Sequence, residues 1–292
     1  MPTDDPTSPR FVDHAVSALS AWLGDHLESS GNPLHTPLAL YANNRPVEPA
    51  ALPPPESGRV AVLVHGLACN EGLWAWPRSR GTGDYGLALE ARLGYRPLYV
   101  RYNTGLRISD NGRALAALLE TWASLHATTL SDLVLIGHSM GGLVLRSACH
   151  EGREADWAAK VRHVFYLGSP HLGAPLERTA NVASGLLGAV DTTATRVIRE
   201  VLDSRSSGVK DLRYGLGSAA SVPWLPSARH HHVVGEVIPG LGLVGDGIVQ
   251  SHSAGPDDAL ETVLLPGLDH LSLARHPAVL EAIAERLADG CP

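Results

Sequence analysis

The sequence lacks the long apolar segments and leader signals of membrane-inserted or secreted proteins. No apolar run approaches the roughly 18 residues that are needed to cross a bilayer. The N-terminus has no basic stretch followed by an apolar one, so it is not typical of a signal peptide. With 44% hydrophobic and 18% charged residues, the composition is that of a globular chain. These observations predict a cytoplasmic protein without stable membrane insertion.

Positive charge, aromatic side chains and cysteine are also scarce. The chain has 23 Lys and Arg against 30 Asp and Glu, which gives a net charge of −7. Because counterion release requires clustered positive charge, this balance disfavours nucleic acid as a partner. Aromatic residues make up 5% of the chain, so the core must consist mostly of Ala, Val and Leu. Cysteines number 3, too few for a disulfide framework or a paired zinc motif.

Short apolar runs alternate with helical patterns through most of the 292 residues. An amphipathic helix at 11–27 and a proline-rich stretch with a short strand at 38–41 come first. This alternation predicts an α/β domain with a mostly parallel, doubly wound sheet over residues 59–292, preceded by a lead-in at 1–58. The predicted strands are 60–64, 97–102, 133–136, 161–167, 232–237 and 260–265, and the predicted helices are 87–93, 110–126, a run after 139, and 278–287.

The alternation stops over residues 172–229. Two helical patterns replace it, at 176–190 and 193–202. We interpret this stretch as a helical cap inserted over the carboxyl ends of the strands, where it would shape a substrate pocket and exclude water.

One motif with catalytic meaning directly follows a predicted buried strand. Residues 137–141 are Gly-His-Ser-Met-Gly, which fits the G-x-S-x-G pattern, and a helical run comes next. A serine on such a tight turn has a strained backbone, and Gly137 and Gly141 leave the room that the turn needs. The pattern alone is weak, but its position predicts Ser139 as a nucleophile.

A serine hydroxyl needs a base, and the base needs an orienting carboxylate. In proteins with this motif the acid and then the histidine follow the serine, each in a loop after a later strand. Asp246 follows the strand predicted at 232–237, and His270 follows the last predicted strand. We therefore predict a triad of Ser139, Asp246 and His270.

Several other residues are weaker candidates. Asp269 adjoins His270, and neighbouring side chains in a loop usually diverge. His252 precedes the final strand and His276 precedes a helix start, so both are less favoured as the base. Three histidines at 230–232 would alternate between the faces of a strand and so would not converge on a metal ion. The run Gly-Leu-Gly-Leu-Val-Gly at 240–245 has no helix after it to bind a pyrophosphate. We expect neither a metal nor a cofactor.

Together these motifs resemble the α/β-hydrolases of the lipase and esterase type, close to bacterial triacylglycerol lipases and PGAP1-like deacylases. The resemblance covers about residues 59–275 and implies an α/β-hydrolase fold and a serine hydrolase that cleaves carboxylic esters. It also implies that the backbone N–H groups of Leu67 and Met140 bind the oxyanion. The matching segments, in the family order, are Val-His-Gly-Leu at 64–67, Gly-His-Ser-Met-Gly-Gly at 137–142, Gly-Ser-Pro-His-Leu-Gly at 168–173, Gly-Asp-Gly-Ile-Val at 245–249 and Asp-His at 269–270.

The expected substrate is a small-molecule ester with a lipid-like acyl group. Leu172, at the start of the cap, and Trp74, shortly after the oxyanion loop, are candidate substrate-binding residues; Trp74 could equally cover the core. Two other functions remain open. An acyltransferase or thioesterase would use the same triad, and a hydrolase-like binding protein would not assemble it.

Overall fold

The computed structural model describes residues 11–52, 55–76, 83–173, 206–216, 222–236 and 260–288. In these residues eight strands form one sheet. The strands are β1 (Ala39–Ala42), β2 (Arg45–Val47), β3 (Arg59–Val64), β4 (Tyr95–Arg101), β5 (Asp132–His138), β6 (Val161–Leu167), β7 (Arg229–Glu236) and β8 (Leu260–Pro266). Their order across the sheet is β2-β1-β4-β3-β5-β6-β7-β8. All neighbours from β4 to β8 are parallel, which confirms the predicted doubly wound sheet.

Helices cover both faces of the sheet. In β3, Val60, Val62 and Val64 point into the core on one face of the sheet, whereas Ala61 and Leu63 point into the core on the other face. Side chains alternate along a strand, so a strand covered on both faces is apolar throughout. The helices are α1 (Phe11–Ser29), α2 (Tyr85–Leu93), α3 (Ile108–Leu125), α4 (Met140–Glu151), α5 (Ser207–Tyr214) and α6 (Pro277–Ala288).

The N-terminal edge of the sheet begins before the predicted domain boundary. β1 overlaps the strand predicted at 38–41 and pairs antiparallel with β4 and with β2. The turn between β1 and β2 consists of Asn43 and Asn44, which both have a positive φ, as a tight hairpin requires. The division of the chain at residue 59 stays a prediction, and the sheet starts at Ala39.

The predicted cap is described only in part. Residues 172–173, 206–216 and 222–229 are described, and the helices predicted at 176–190 and 193–202 lie outside the described residues. Within the described part, α5 lies on the loop after β4, where the N–H of Gly208 donates to the carbonyl of Gly105 at 2.9 Å. No helix among the described residues is both long and apolar enough to span a bilayer.

Candidate active site

Ser139 occupies the turn between β5 and α4. Its backbone has φ 54° and ψ −122°, and a positive φ is unfavourable for a side chain with a Cβ. The Ser139 N–H donates to the carbonyl of Leu167 at 2.8 Å, which ties the turn to β6. The hydroxyl does not cap α4, although serine is a favoured capping residue. The turn therefore has the backbone that the motif predicts.

The two glycines of the motif lie where a larger residue would not fit. A Cβ on Gly137 would be 2.6 Å from the Cα of Gly142, and a Cβ on Gly141 would be 2.3 Å from the carbonyl oxygen of Val64. Both neighbours are backbone atoms, which cannot rotate away. Close approach of β3, β5 and α4 thus explains why both positions are glycine.

His270 lies in the loop after β8, which reaches back toward the Ser139 turn. Its side chain is 3% exposed, and its ring centre is 4.8 Å from that of His138, the residue directly before Ser139. The carbonyl of His270 lies 2.8 Å from the Nε2 of His138. The structure thus brings the loop of the predicted base against the turn of the predicted nucleophile.

The two candidate acids differ in what the structure describes. Asp246 lies outside the described residues, as does His252. Asp269 is exposed, and its carboxylate accepts a hydrogen bond from the N–H of Ser272 at 2.8 Å. The Asp269 side chain therefore stabilises the turn that follows His270. His276 accepts a hydrogen bond from the Ala278 N–H at 3.2 Å, at the start of α6.

The loop after β3 is held in one conformation by side chains of the loop after β4. Tyr102 donates its hydroxyl to the carbonyl of His65 at 2.9 Å, and the N–H of Ala68 donates to the hydroxyl of Thr104 at 3.3 Å. Ala68 itself has φ 60°, a second strained non-glycine position. These bonds fix the backbone of the predicted oxyanion loop.

The two predicted oxyanion donors lie in this region. Met140 is the first residue of α4, where N–H groups have no partner within the helix. Leu67 follows Gly66, and a Cβ on Gly66 would lie 3.1 Å from the Cβ of Ser139. Within the described residues, neither the Leu67 nor the Met140 N–H donates to a protein acceptor. Their role as oxyanion donors stays a prediction.

His65 has a structural role in this loop. Its ring is fully buried and stacks on Tyr102 with the ring centres 4.6 Å apart. Burial lowers the pKa of His65 to about 3, so the ring is neutral at physiological pH. A neutral, buried imidazole that stacks on Tyr102 supports the loop.

The two predicted substrate-binding residues lie in different surroundings. Trp74 is 0% exposed and packs in the core beneath α2 and α6, near Tyr85 at 6.1 Å between ring centres. This placement favours the core-packing alternative for Trp74. Leu172 is 49% exposed at the start of the predicted cap. Substrate binding by either residue stays a prediction.

Sequence reasoning missed the polar contacts between α1 and the site loops. Asn70 donates to the Ser17 hydroxyl at 3.3 Å, and Asn103 donates to the carbonyl of Gly24 at 2.8 Å. Both asparagines are buried. α1 therefore supports the loops after β3 and β4. The available signal was an asparagine in the loop after each of these two strands, but an asparagine alone does not identify its partner.

The three consecutive histidines of β7 alternate between the faces of the sheet, as predicted. His230 contacts the Tyr166 hydroxyl at 3.0 Å, whereas His231 contacts His163 at 2.9 Å on the opposite face. His232 packs near His171, with ring centres 5.4 Å apart. In the part of the chain that the structure describes, no group of three or more His, Cys, Asp or Glu side chains is arranged to hold a metal ion.

Comparison with known proteins identifies the fold. Residues 104–197 match a family model described as a PGAP1-like alpha/beta domain. The mature form of a Bacillus licheniformis lipase superposes with a TM-score of 0.58 at 19% identity, over 86% of this chain and 99% of the lipase. A carboxylesterase structure from Nitrososphaera gargenis superposes with a TM-score of 0.52 at 18% identity, over 79% of this chain and 90% of that chain. Aspergillus fumigatus lipase B superposes with a TM-score of 0.52 at 12% identity, over 83% of this chain and 55% of that chain.

No curated protein matches the chain. The sheet order, the serine turn after β5 and the structural likenesses together show that the protein has the α/β-hydrolase fold, as the sequence predicted. Within that fold class, the part of the chain that matches the PGAP1-like alpha/beta domain is residues 104–197, which include Ser139.

Proposed function

We propose that this protein is a serine hydrolase that cleaves carboxylic esters. The observation that supports this most strongly is the backbone of Ser139, a non-glycine residue at φ 54° whose hydroxyl is not used to cap α4. Such a conformation costs on the order of 1–3 kcal/mol and is typical of functional positions. A turn without chemistry could carry glycine here and avoid that cost.

In the proposed reaction His270 removes the proton of Ser139 as the hydroxyl oxygen attacks the ester carbonyl. The Leu67 and Met140 N–H groups stabilise the negative charge that develops on the carbonyl oxygen. The intermediate then collapses, and the protonated His270 donates its proton to the leaving alcohol. Water, activated by the same histidine, attacks the acyl-enzyme and releases the carboxylic acid and Ser139.

We propose Asp246 as the acid that orients His270. Support comes from the exposure of Asp269: its carboxylate lies at the surface and stabilises the next turn by accepting from the Ser272 N–H, whereas His270 is buried. Replacing Asp246 with Asn should lower kcat about 10⁴-fold, whereas Asp269→Asn should change it only by a few-fold. A larger loss of kcat in Asp269→Asn would reverse the assignment.

The proposed substrates are small-molecule esters with a fairly hydrophobic acyl group. A series of p-nitrophenyl esters of increasing acyl length tests this: kcat/KM should rise from the acetate to longer chains. Hydrolysis of the acetate far above the others would show that the hydrophobic-acyl proposal is wrong. A cytoplasmic location stays a prediction from the sequence.

Labelling with a fluorophosphonate probe tests the reaction class. The probe should react with wild type at Ser139 and not with Ser139→Ala, whose fold is checked by circular dichroism. No reaction of folded wild type would favour the binding-protein alternative. Labelling together with preferred transfer to an added alcohol, or preferred cleavage of a thioester, would favour the acyltransferase or thioesterase alternative.

A further inference from the structure

The ring of His138 lies between the loops of the predicted oxyanion donor and the predicted base. On one side, its Nδ1 is 2.9 Å from the position that a Cβ on Gly66 would occupy. On the other side, its ring centre is 4.8 Å from that of His270, with an interplanar angle of 53°. His138 is 1% exposed and directly precedes Ser139. One side chain thus contacts both loops from the nucleophile strand.

The hydrogen bond between His138 and His270 has only one possible direction. The Nε2 of His138 lies 2.8 Å from the carbonyl oxygen of His270, across 132 residues of sequence. A carbonyl oxygen only accepts, so Nε2 must carry the proton and donate it. The contact therefore fixes the tautomer of neutral His138.

This bond joins two residues whose strands are not neighbours in the sheet. β5, which ends at His138, is separated from β8 by β6 and β7. With strands about 4.8 Å apart, the ends of β5 and β8 are roughly 14 Å apart, and the loop that carries His270 must cross that distance. A bond to the backbone of His270 itself fixes this loop at the residue where its position matters.

The geometry points to His138 as a positioning residue that holds the His270 imidazole in place relative to Ser139. It contacts no reacting atom in this role and acts through His270. The inference rests on the proposed function, because it concerns the same site.

Two variants of similar side-chain length separate the hydrogen bond from packing. His138→Gln keeps an N–H donor near the position of Nε2, and His138→Met does not. A misplacement of about 1 Å in a catalytic group can cost around 10²-fold in rate. We therefore expect kcat for a p-nitrophenyl ester to fall about 10- to 100-fold in His138→Met, with KM within about two-fold, and to fall only a few-fold in His138→Gln.

His126 provides the matched control. It is also buried and also packs against a ring, that of Trp122, with centres 4.6 Å apart, but it lies at the end of α3. His126→Gln and His126→Met should lower the Tm by amounts similar to the His138 pair and leave kcat unchanged. Equal kcat in His138→Gln and His138→Met would overturn the proposal, as would a rise in KM at unchanged kcat.

Nitrogen-15 NMR of the histidine side chains gives a readout that does not depend on catalysis. In wild type the His138 proton should be on Nε2, and the His270 ring signals should broaden in His138→Met but not in His138→Gln. A proton on Nδ1 alone in His138 would overturn the proposal. If wild type neither reacts with the fluorophosphonate nor hydrolyses esters, the proposed function fails, while the NMR result still decides whether His138 holds His270.

Discussion

Buried histidines lie at both ends of the same sheet, and their surroundings differ. The carboxyl-end group consists of His65, His138 and His270, which follow or end β3, β5 and β8. His65 and His270 lie in loops and His138 ends β5, and all three are near the Ser139 turn. In this group His65 stacks on Tyr102, the His138 and His270 rings meet at a tilted angle, and His270 is the predicted base.

The amino-end group consists of His163, His231 and Glu261, near the starts of β6, β7 and β8. The Nδ1 of His231 lies 2.7 Å from the Glu261 carboxylate, which only accepts, so His231 donates there. Burial lowers the pKa of His231, and its Nε2 lies 2.9 Å from the Nδ1 of His163, within hydrogen-bond distance. Arg286 donates to Glu261 and completes the chain.

The two groups differ in whether a candidate nucleophile lies beside the acid–base partners. The amino-end group has a carboxylate and two hydrogen-bonded imidazoles, which is more than is described around His270. Among the described residues, no strained serine like Ser139 belongs to the amino-end group. Among the described residues, positive φ at a non-glycine residue occurs at four positions, and none is in the amino-end group. The four positions are Asn43, Asn44, Ala68 and Ser139.

The largest expected difference between the two groups is in catalysis. His270→Gln should lower kcat for a p-nitrophenyl ester by at least about 10⁴-fold, because the base that activates Ser139 is lost. His231→Gln should keep kcat within about two-fold and lower the Tm, because its effect is on packing at the other end of the sheet. Steady-state kinetics and thermal unfolding measure both.

Similar losses of kcat in His270→Gln and His231→Gln would contradict this difference between the two groups. So would a His270→Gln protein that kept a tenth of the wild-type rate, since the base would then lie elsewhere. His276 would be the next candidate, although its Nδ1 already accepts from the Ala278 N–H.

A second expected difference between the two groups concerns backbone strain. The strained Ser139 turn lies beside the carboxyl-end group. Ser139→Gly should be more stable than Ser139→Ala by about 1–2 kcal/mol, because glycine adopts φ 54° without a Cβ clash. Both variants lack the hydroxyl and should be inactive, so Ser139→Ala is the matched control. Urea denaturation measures the difference, and equal stability would show that the turn stores no strain.

Most of the sheet could be predicted because its signals are local. The apolar run at 60–64 becomes β3, the run at 161–167 becomes β6, and the helix after Ser139 becomes α4. β2 could not be predicted. It has three residues, includes a proline, and exists because it pairs with β1 at the edge of the sheet.

The candidate site also has features that could be predicted from the sequence and features that could not. The tight turn at Ser139 could be predicted because it needs glycines at fixed spacing, and Gly137 and Gly141 lie two positions before and after the serine. The contacts of His138 with His270 and of His163 with His231 join residues 132 and 68 positions apart. Periodicity and spacing report which face a residue occupies, not which distant side chain it meets, so these contacts required the structure.

The smallest expected difference is in the dependence of stability on pH. Burial, with a contribution from nearby His231, lowers the pKa of His163 from 6.5 to about 4. Between these pH values the unfolded chain binds more protons than the folded one, so stability falls as the pH falls. Each such histidine contributes at most about 1.4 kcal/mol per pH unit.

His163→Asn tests this contribution, because an asparagine side chain can still hydrogen-bond to His231 and does not titrate. Urea denaturation of the variant should show a smaller loss of stability from pH 6.5 to 4 than wild type shows, and nearly equal stability at pH 8. An unchanged slope would mean that His163 does not resist protonation in the fold. Some slope should remain in the variant, because His65 of the carboxyl-end group, with a pKa of about 3, stays neutral over the same range. Acid sensitivity is therefore shared by both ends of the sheet, whereas the catalytic effect is expected at one end only.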